Sequence, residues 1–108
     1  MTGKRVLAYA DLVADLYRAL ADPTRRALLD ELQRRGHQTL FELCARMVQA
    51  HAIGSTRQAI SQHLAVLEEA GLVVTRREGR VKFHDLDPTP LRSILERWPV
   101  PPSSGEQP

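Results

Sequence analysis

The stretch IGSTRQAISQHLAVLEEAGLV, residues 53–73, decides the reading of this chain. Its opening is a run of hydroxyl, amide and guanidinium side chains; it then turns apolar and stops at a glycine. Ser55 and Gln58 have the spacing of a capping box, which predicts a helix N-terminus. Ile60, Leu64 and Leu67 follow at helical spacing, and Gly71 supplies the residue type that most easily closes a helix, which places a helix over 55–70. With those three apolar residues turned inward, Gln58, Gln62, Ala65 and Glu69 point most directly outward, flanked by Arg57 and Ser61. The first half of that outer face suits a nucleic acid. Glutamine can bond both major-groove edge atoms of adenine, arginine suits guanine or phosphate, and Ser and Thr hydroxyls, here Ser55, Thr56 and Ser61, can hold backbone oxygens. Glu68 and Glu69 would repel phosphate, so contact is expected to stop at Ala65.

Downstream, LVVTRREGRVKFHDL changes character. β-branched and aromatic residues flank Glu78-Gly79, the pattern of a two-stranded hairpin around a short glycine turn. Around the turn, over 76–82, Arg76, Arg77, Arg80 and Lys82 stand against the single acid Glu78, an excess of positive charge that a wing lying on a phosphate backbone would use. A last short helix, started by Asp87-Pro88 or by Thr89-Pro90, would carry the stripe Leu91, Ile94, Leu95 and Trp98. PVPPSSGEQP, closing the sequence, is rich in Pro, Ser and Gly, the composition of a disordered tail over 99–108.

Upstream, from Leu7 to Leu20, the apolar residues Tyr9, Leu12, Val13, Leu16, Tyr17 and Leu20 give a first helix a wide apolar face. Asp22 then serves as N-cap with Pro23 at the first helical position, Ala27, Leu28 and Leu32 as the stripe, and Gly36 as the stop. Thr39 and Glu42 form a further capping box, followed by Leu40, Leu43, Cys44, Met47 and Val48 on one face of a third helix. The order is four helices, a basic hairpin and a short helix (ααααββα). This is a mainly α fold with a small β-hairpin wing, a winged helix-turn-helix whose third and fourth helices form the reading pair.

With 108 residues, 43% of them hydrophobic and 26% charged, residues 1–98 fit one domain with one core. Its apolar runs are too short to span a bilayer, and Asp11 and Asp15 break up the N-terminal region, so neither membrane insertion nor a signal peptide is expected. A single cysteine allows no internal disulfide and fits a reducing cytoplasm. The overall balance of 15 basic against 13 acidic residues selects no partner; the placement of the charges does. No nucleophile elbow, acid pair or phosphate-binding glycine loop is present, so an enzyme is not expected.

LYRALADPTRRALLDEL, AISQHLAVLEEAGLVVTRREGRVKFHDL and the spacing between them resemble the ArsR/SmtB family of bacterial repressors over roughly residues 12–98. The block ISQHLAVLEEAGLV is the most specific element. The resemblance implies a homodimeric winged-helix repressor, paired mainly through its first and last helices, that leaves double-stranded operator DNA when a small-molecule effector or a redox change acts. Carried over by position, the family's DNA contacts fall on Ser55, Arg57, Gln58, Ser61, Gln62 and His63, with wing support from Arg77 and Arg80. The dimer surface would use Tyr9, Leu12, Val13, Leu16, Leu91, Leu95 and Trp98. The competing reading of Tyr9, Leu12 and Trp98 is that they complete a small single-chain core.

Departures from the family are as informative. Where its arsenic and heavy-metal sensors often carry ELCxCD, this chain reads ELCARM, so Arg46 stands in place of the second thiolate. A guanidinium cannot bind a metal, and Cys44 alone is one soft ligand. PLRSILERW offers Glu96 but no histidine for the family's other site. The four histidines, 37, 51, 63 and 84, do not face one another along any one helix. No metal and no cofactor are therefore expected. Cys44 lies in the apolar stripe, where it reads as a small core residue; the alternative is a redox thiol tuned by Arg46. RMVQAHAIGST is about five residues longer than the family's usual turn, by an extension of the third helix or of the turn. Beside specific DNA reading stand two rivals, a protein-interaction module and nonspecific nucleic-acid or RNA binding.

Overall fold

The computed structural model describes residues 9–102, with side chains from Asp11 onward. The elements are α1 (Tyr9–Leu20), α2 (Pro23–Arg34), α3 (Leu40–His51), α4 (Arg57–Glu69), β1 (Val73–Glu78), β2 (Val81–Leu86) and, after a 3-10 turn over Thr89–Leu91, α5 (Arg92–Arg97). The expected beginning of the first helix at Leu7 and residues 103–108 of the expected tail lie outside the described residues; 99–102 have no regular structure.

The caps form as their residue types dictate. Asp22 accepts hydrogen bonds from the amides of Thr24 (2.8 Å) and Arg25 (3.1 Å). Thr39 and Glu42 close a complete capping box. For α4 the cap is displaced by one residue: Thr56, not Ser55, accepts from the Ala59 amide at 3.0 Å, and the helix runs over 57–69 rather than 55–70. A threonine hydroxyl three residues before a free amide satisfies that donor as well as a capping serine would.

The core joins Leu16 and Ala19 of α1, Leu28 and Leu32 of α2, Leu43 and Met47 of α3, and Ile60, Leu64 and Leu67 of α4, closed by Leu72 and Val73. Gly71 takes φ +78°, letting the chain leave α4 directly into β1. The segment between α3 and α4 divides its extra length: α3 continues for 12 residues to His51, and Ala52, in the left-handed region at φ 56°, turns the chain toward Thr56.

A charged knot lies inside. Glu31 is 2% exposed. It accepts from Arg34 one turn along, from Arg46 of α3 (3.1 Å) and from the Gln38 amide (3.1 Å), with the His51 ring 3.7 Å away. Burial pushes its carboxyl up, but the bonds from Arg34, Gln38 and Arg46 outweigh this and bring it down to about 2. The carboxylate therefore stays charged and pins α3 against α2.

Candidate nucleic-acid interface

α4 presents Arg57, Gln58, Ser61, Gln62 and Ala65 to solvent because Ile60, Leu64 and Leu67 bury its opposite side. Ser55 and Thr56 are exposed just before it. His63 is placed differently. It is half-buried, and its Nδ1 lies 3.1 Å from Nη1 of Arg25. Because a guanidinium only donates, Nδ1 is the acceptor and the ring's other nitrogen carries the proton in the neutral form. Arg25 also donates to the carbonyls of Ala19 (3.0 Å) and Arg18 (2.8 Å), so it closes the end of α1 and orients His63 at once. Arg26 does the same for Leu20 at 2.8 Å.

The hairpin is antiparallel, with Arg77 opposite Lys82, Arg76 opposite Phe83 and Thr75 opposite His84. Strand alternation puts Arg77 and Lys82 on the face of His84, toward the helices. Arg76 falls on the other face, beside Phe83. Two cations directly opposite each other repel, a cost that a bound anion relieves. Arg80 follows Gly79, whose φ of +65° makes the turn.

The wing is braced at its base by residues the sequence reading did not single out. Gln38 pairs with His84 through both backbone bonds, 3.1 and 2.8 Å, and the His84 ring donates to the Gln38 carbonyl at 2.9 Å. The His37 amide donates to Asp85 at 2.8 Å, while its ring stacks on Phe83 at 4.1 Å and lies 3.1 Å from Glu78. A Cβ on Gly36 would stand 2.7 Å from the Asp85 carboxylate, so a side chain here would displace Asp85 from the His37 amide. At the far end of α4, Thr75 donates to Glu68 at 3.1 Å, tying the acidic half of the helix to the wing.

Between α3, α4 and the hairpin runs a groove of about 450 Å³ whose lining includes Arg57 and Ser61 of α4, Arg80 and Lys82 of the wing, and Phe41 of α3. A second cleft, of about 380 Å³, separates α1 from α5 and is lined by Leu12, Val13, Pro90 and Ser93 among others. Around it Leu12, Leu95 and Trp98 are exposed, the last two by 53% and 57%. These exposures do not support the competing reading in which Trp98 and Leu12 complete a single-chain core. Leu16 is corrected in the opposite sense. At 2% exposure it belongs to the chain's own core and reaches this cleft only at its floor. Leu91 and Val13 are half-buried, and the side chain of Tyr9 lies outside the described residues.

Cys44 is half-buried against the core. Arg46 does not tune it, being held by Glu31; the guanidinium that bears on the thiol is Arg57, and burial outweighs it, pushing the thiol pKa up. With Arg46 so engaged, the residues at this place do not fit a thiolate metal centre. Among the described residues no helix is long and apolar enough to cross a membrane.

A helix-turn-helix pair with an exposed polar outer helix and a cationic hairpin beside it defines a winged-helix DNA-binding regulator. The comparisons agree. Residues 20–76 match a family model described as a helix-turn-helix domain. An uncharacterised HTH-type transcriptional regulator of Bacillus subtilis, YuzN, is 43% identical over 77% of this chain and 90% of its own length. The arsenical resistance operon repressor of Escherichia coli is 32% identical over 71% of this chain and 61% of its own. An ArsR-like transcriptional regulator from Rhodococcus sp. RHA1 superposes with a TM-score of 0.70 at 31% identity, covering 82% of this chain and 74% of that one. The chain belongs to the ArsR/SmtB family of winged helix-turn-helix transcriptional regulators, a non-enzymatic class.

Proposed function

We propose that the chain acts in the cytoplasm as a homodimeric repressor of a pseudo-palindromic operator. The first two turns of α4 enter the major groove of each half-site, and the 73–86 hairpin follows the phosphate backbone. The observation that carries this reading is the single groove joining Arg57 and Ser61 to Arg80 and Lys82. Gln58 and Gln62 are the base-reading residues, since both are exposed on the same two turns and an amide can bond adenine in both directions. Ser55, Thr56, Arg57 and Ser61 hold phosphates, and Arg77, Arg80 and Lys82 supply the wing's charge. Arg76, on the far sheet face, contributes only to the long-range field, and His63 acts through the proton its Arg25 contact leaves outward. Dimerisation through α1 and α5 is supported by the exposed apolar side chains of Leu12, Leu95 and Trp98. Half-sites are then centred one helical turn, about 10 bp, or a multiple of it apart.

Titration against the chain's own promoter and a scrambled duplex at two salt concentrations tests this. Tighter binding to the promoter is expected, with affinity for both falling as salt rises. Gln62→Ala should shrink the promoter preference by about 1–3 kcal/mol. Equal affinity of the wild type for both duplexes would sink the proposal.

A further inference from the structure

Phe41 is the one large side chain on this surface that the reading above leaves idle. It stands in the first turn of α3, 74% exposed, and lines the same groove as Arg57, Arg80 and Lys82. Val81, 44% exposed at the wing tip, lines it too, as do Leu40 and Leu64. An isolated exposed hydrophobe needs no explanation, but Phe41 stands in a groove rimmed by three cations, over a floor formed by half-buried Leu40 and buried Leu64. The lone acid in its lining, Glu68, is already bonded to Thr75.

We infer that Phe41 is a DNA-contacting residue that packs on the apolar edge of a backbone deoxyribose while Arg57, Arg80 and Lys82 take the flanking phosphates. This rests on the DNA-binding reading above. A nucleic-acid backbone alternates anionic phosphate with apolar sugar, and the groove alternates in the same way. A wholly ionic ligand would leave Phe41 and Val81 wet; a wholly apolar one would bury three unpaired cations. The first helix of a helix-turn-helix crosses the backbone, which is where its first turn places Phe41. Because every sugar offers the same edge, the contact carries no sequence information, and because it releases no counterion, it is indifferent to salt.

Three signatures separate this contact from its neighbours. Binding of wild type, Phe41→Ala and Arg80→Ala to promoter and scrambled duplexes is measured over a range of salt, with sedimentation and thermal melting as controls. Phe41→Ala should weaken both duplexes by the same factor, on the order of tenfold, leaving the slope of log affinity against log salt unchanged. Phe41→Leu should recover most of the loss. Arg80→Ala should instead flatten the slope. Unchanged affinity in Phe41→Ala would overturn the inference alone, as would a changed salt slope or a loss confined to the promoter. A change in oligomeric state would assign Phe41 to contact between copies of the chain. Failure of the wild type to bind any duplex would overturn the DNA reading itself.

Discussion

The two exposed surfaces of the chain are built from opposite materials. The groove between α3, α4 and the wing collects Arg57, Arg80 and Lys82 around a small apolar floor, whereas the α1/α5 side presents Leu12, Leu95 and Trp98 beside charges of both signs, Arg92, Glu96 and Arg97, the last lying 4.9 Å over the Trp98 ring. Ionic surfaces lose affinity as salt rises; apolar ones hold in salt and yield to dilution. On the proposed reading, one small fold binds two unlike partners, DNA and a second copy of itself, with independent controls.

The sharpest way to break that division is to place charge on the apolar side. Leu12→Asp combined with Leu95→Asp should give a monomer in sedimentation, since both side chains are exposed in the protomer and neither supports its core. Binding to the two-half-site promoter should fall a hundredfold or more, because the second half-site is then no longer held at high effective concentration. Retention of a dimer by this variant would move the interface elsewhere on the chain.

How far the two surfaces could be read from sequence differs for a physical reason. Periodicity placed Ile60, Leu64 and Leu67 inward and therefore Gln58 and Gln62 outward, because a helix has one fixed period. The same logic could not tell Leu16, which the core buries, from Leu12, which it does not, since both lie on a face wide enough to serve the core and a partner. Ser55 and Thr56 are adjacent hydroxyls, and which one caps α4 depends on the turn that precedes it. The bracing of the wing by His37 and Gln38, and of His63 by Arg25, joins residues 38 to 48 positions apart, which no local pattern encodes. No local pattern encodes the Glu31 knot either: Arg46 stands out in sequence only for its place near Cys44 and His51 only as one of four scattered histidines, and they join Glu31, Arg34 and Gln38 once α3 packs on α2.

That knot sharpens the comparison because it touches only one side of it. Glu31 fixes α3, and with it Phe41, but contacts neither α1 nor α5. Its carboxyl is held at about 2 in the folded chain against an ordinary 4.5, so its stabilisation is complete above about 4.5 and is lost as pH falls toward 2. The shift corresponds to on the order of 3 kcal/mol. Glu31→Gln should lower stability by about 2 kcal/mol at pH 7, leaving Arg46 without its partner, and should flatten the fall in denaturant midpoint between pH 4.5 and 2. An acid dependence identical to wild type would mean that other carboxylates govern it.

Cys44 should have the smallest effect, and it tests whether a third control exists beside salt and dilution. A redox switch needs a thiolate, and burial raises the Cys44 pKa against the opposing pull of Arg57, so little thiolate forms at neutral pH. Cys44→Ser replaces a half-buried thiol by a hydroxyl of similar size, and should change stability by no more than about 1 kcal/mol. Affinity for the promoter should stay within twofold of wild type, because Arg57 keeps its place at the helix start whichever atom it faces. Wild type and variant should also respond alike to mild oxidant in a DNA-release assay. Release by oxidant in the wild type that disappears in Cys44→Ser would show instead that opening of α3 exposes the thiol, and would make the groove side of the molecule responsive to redox state as well as to salt.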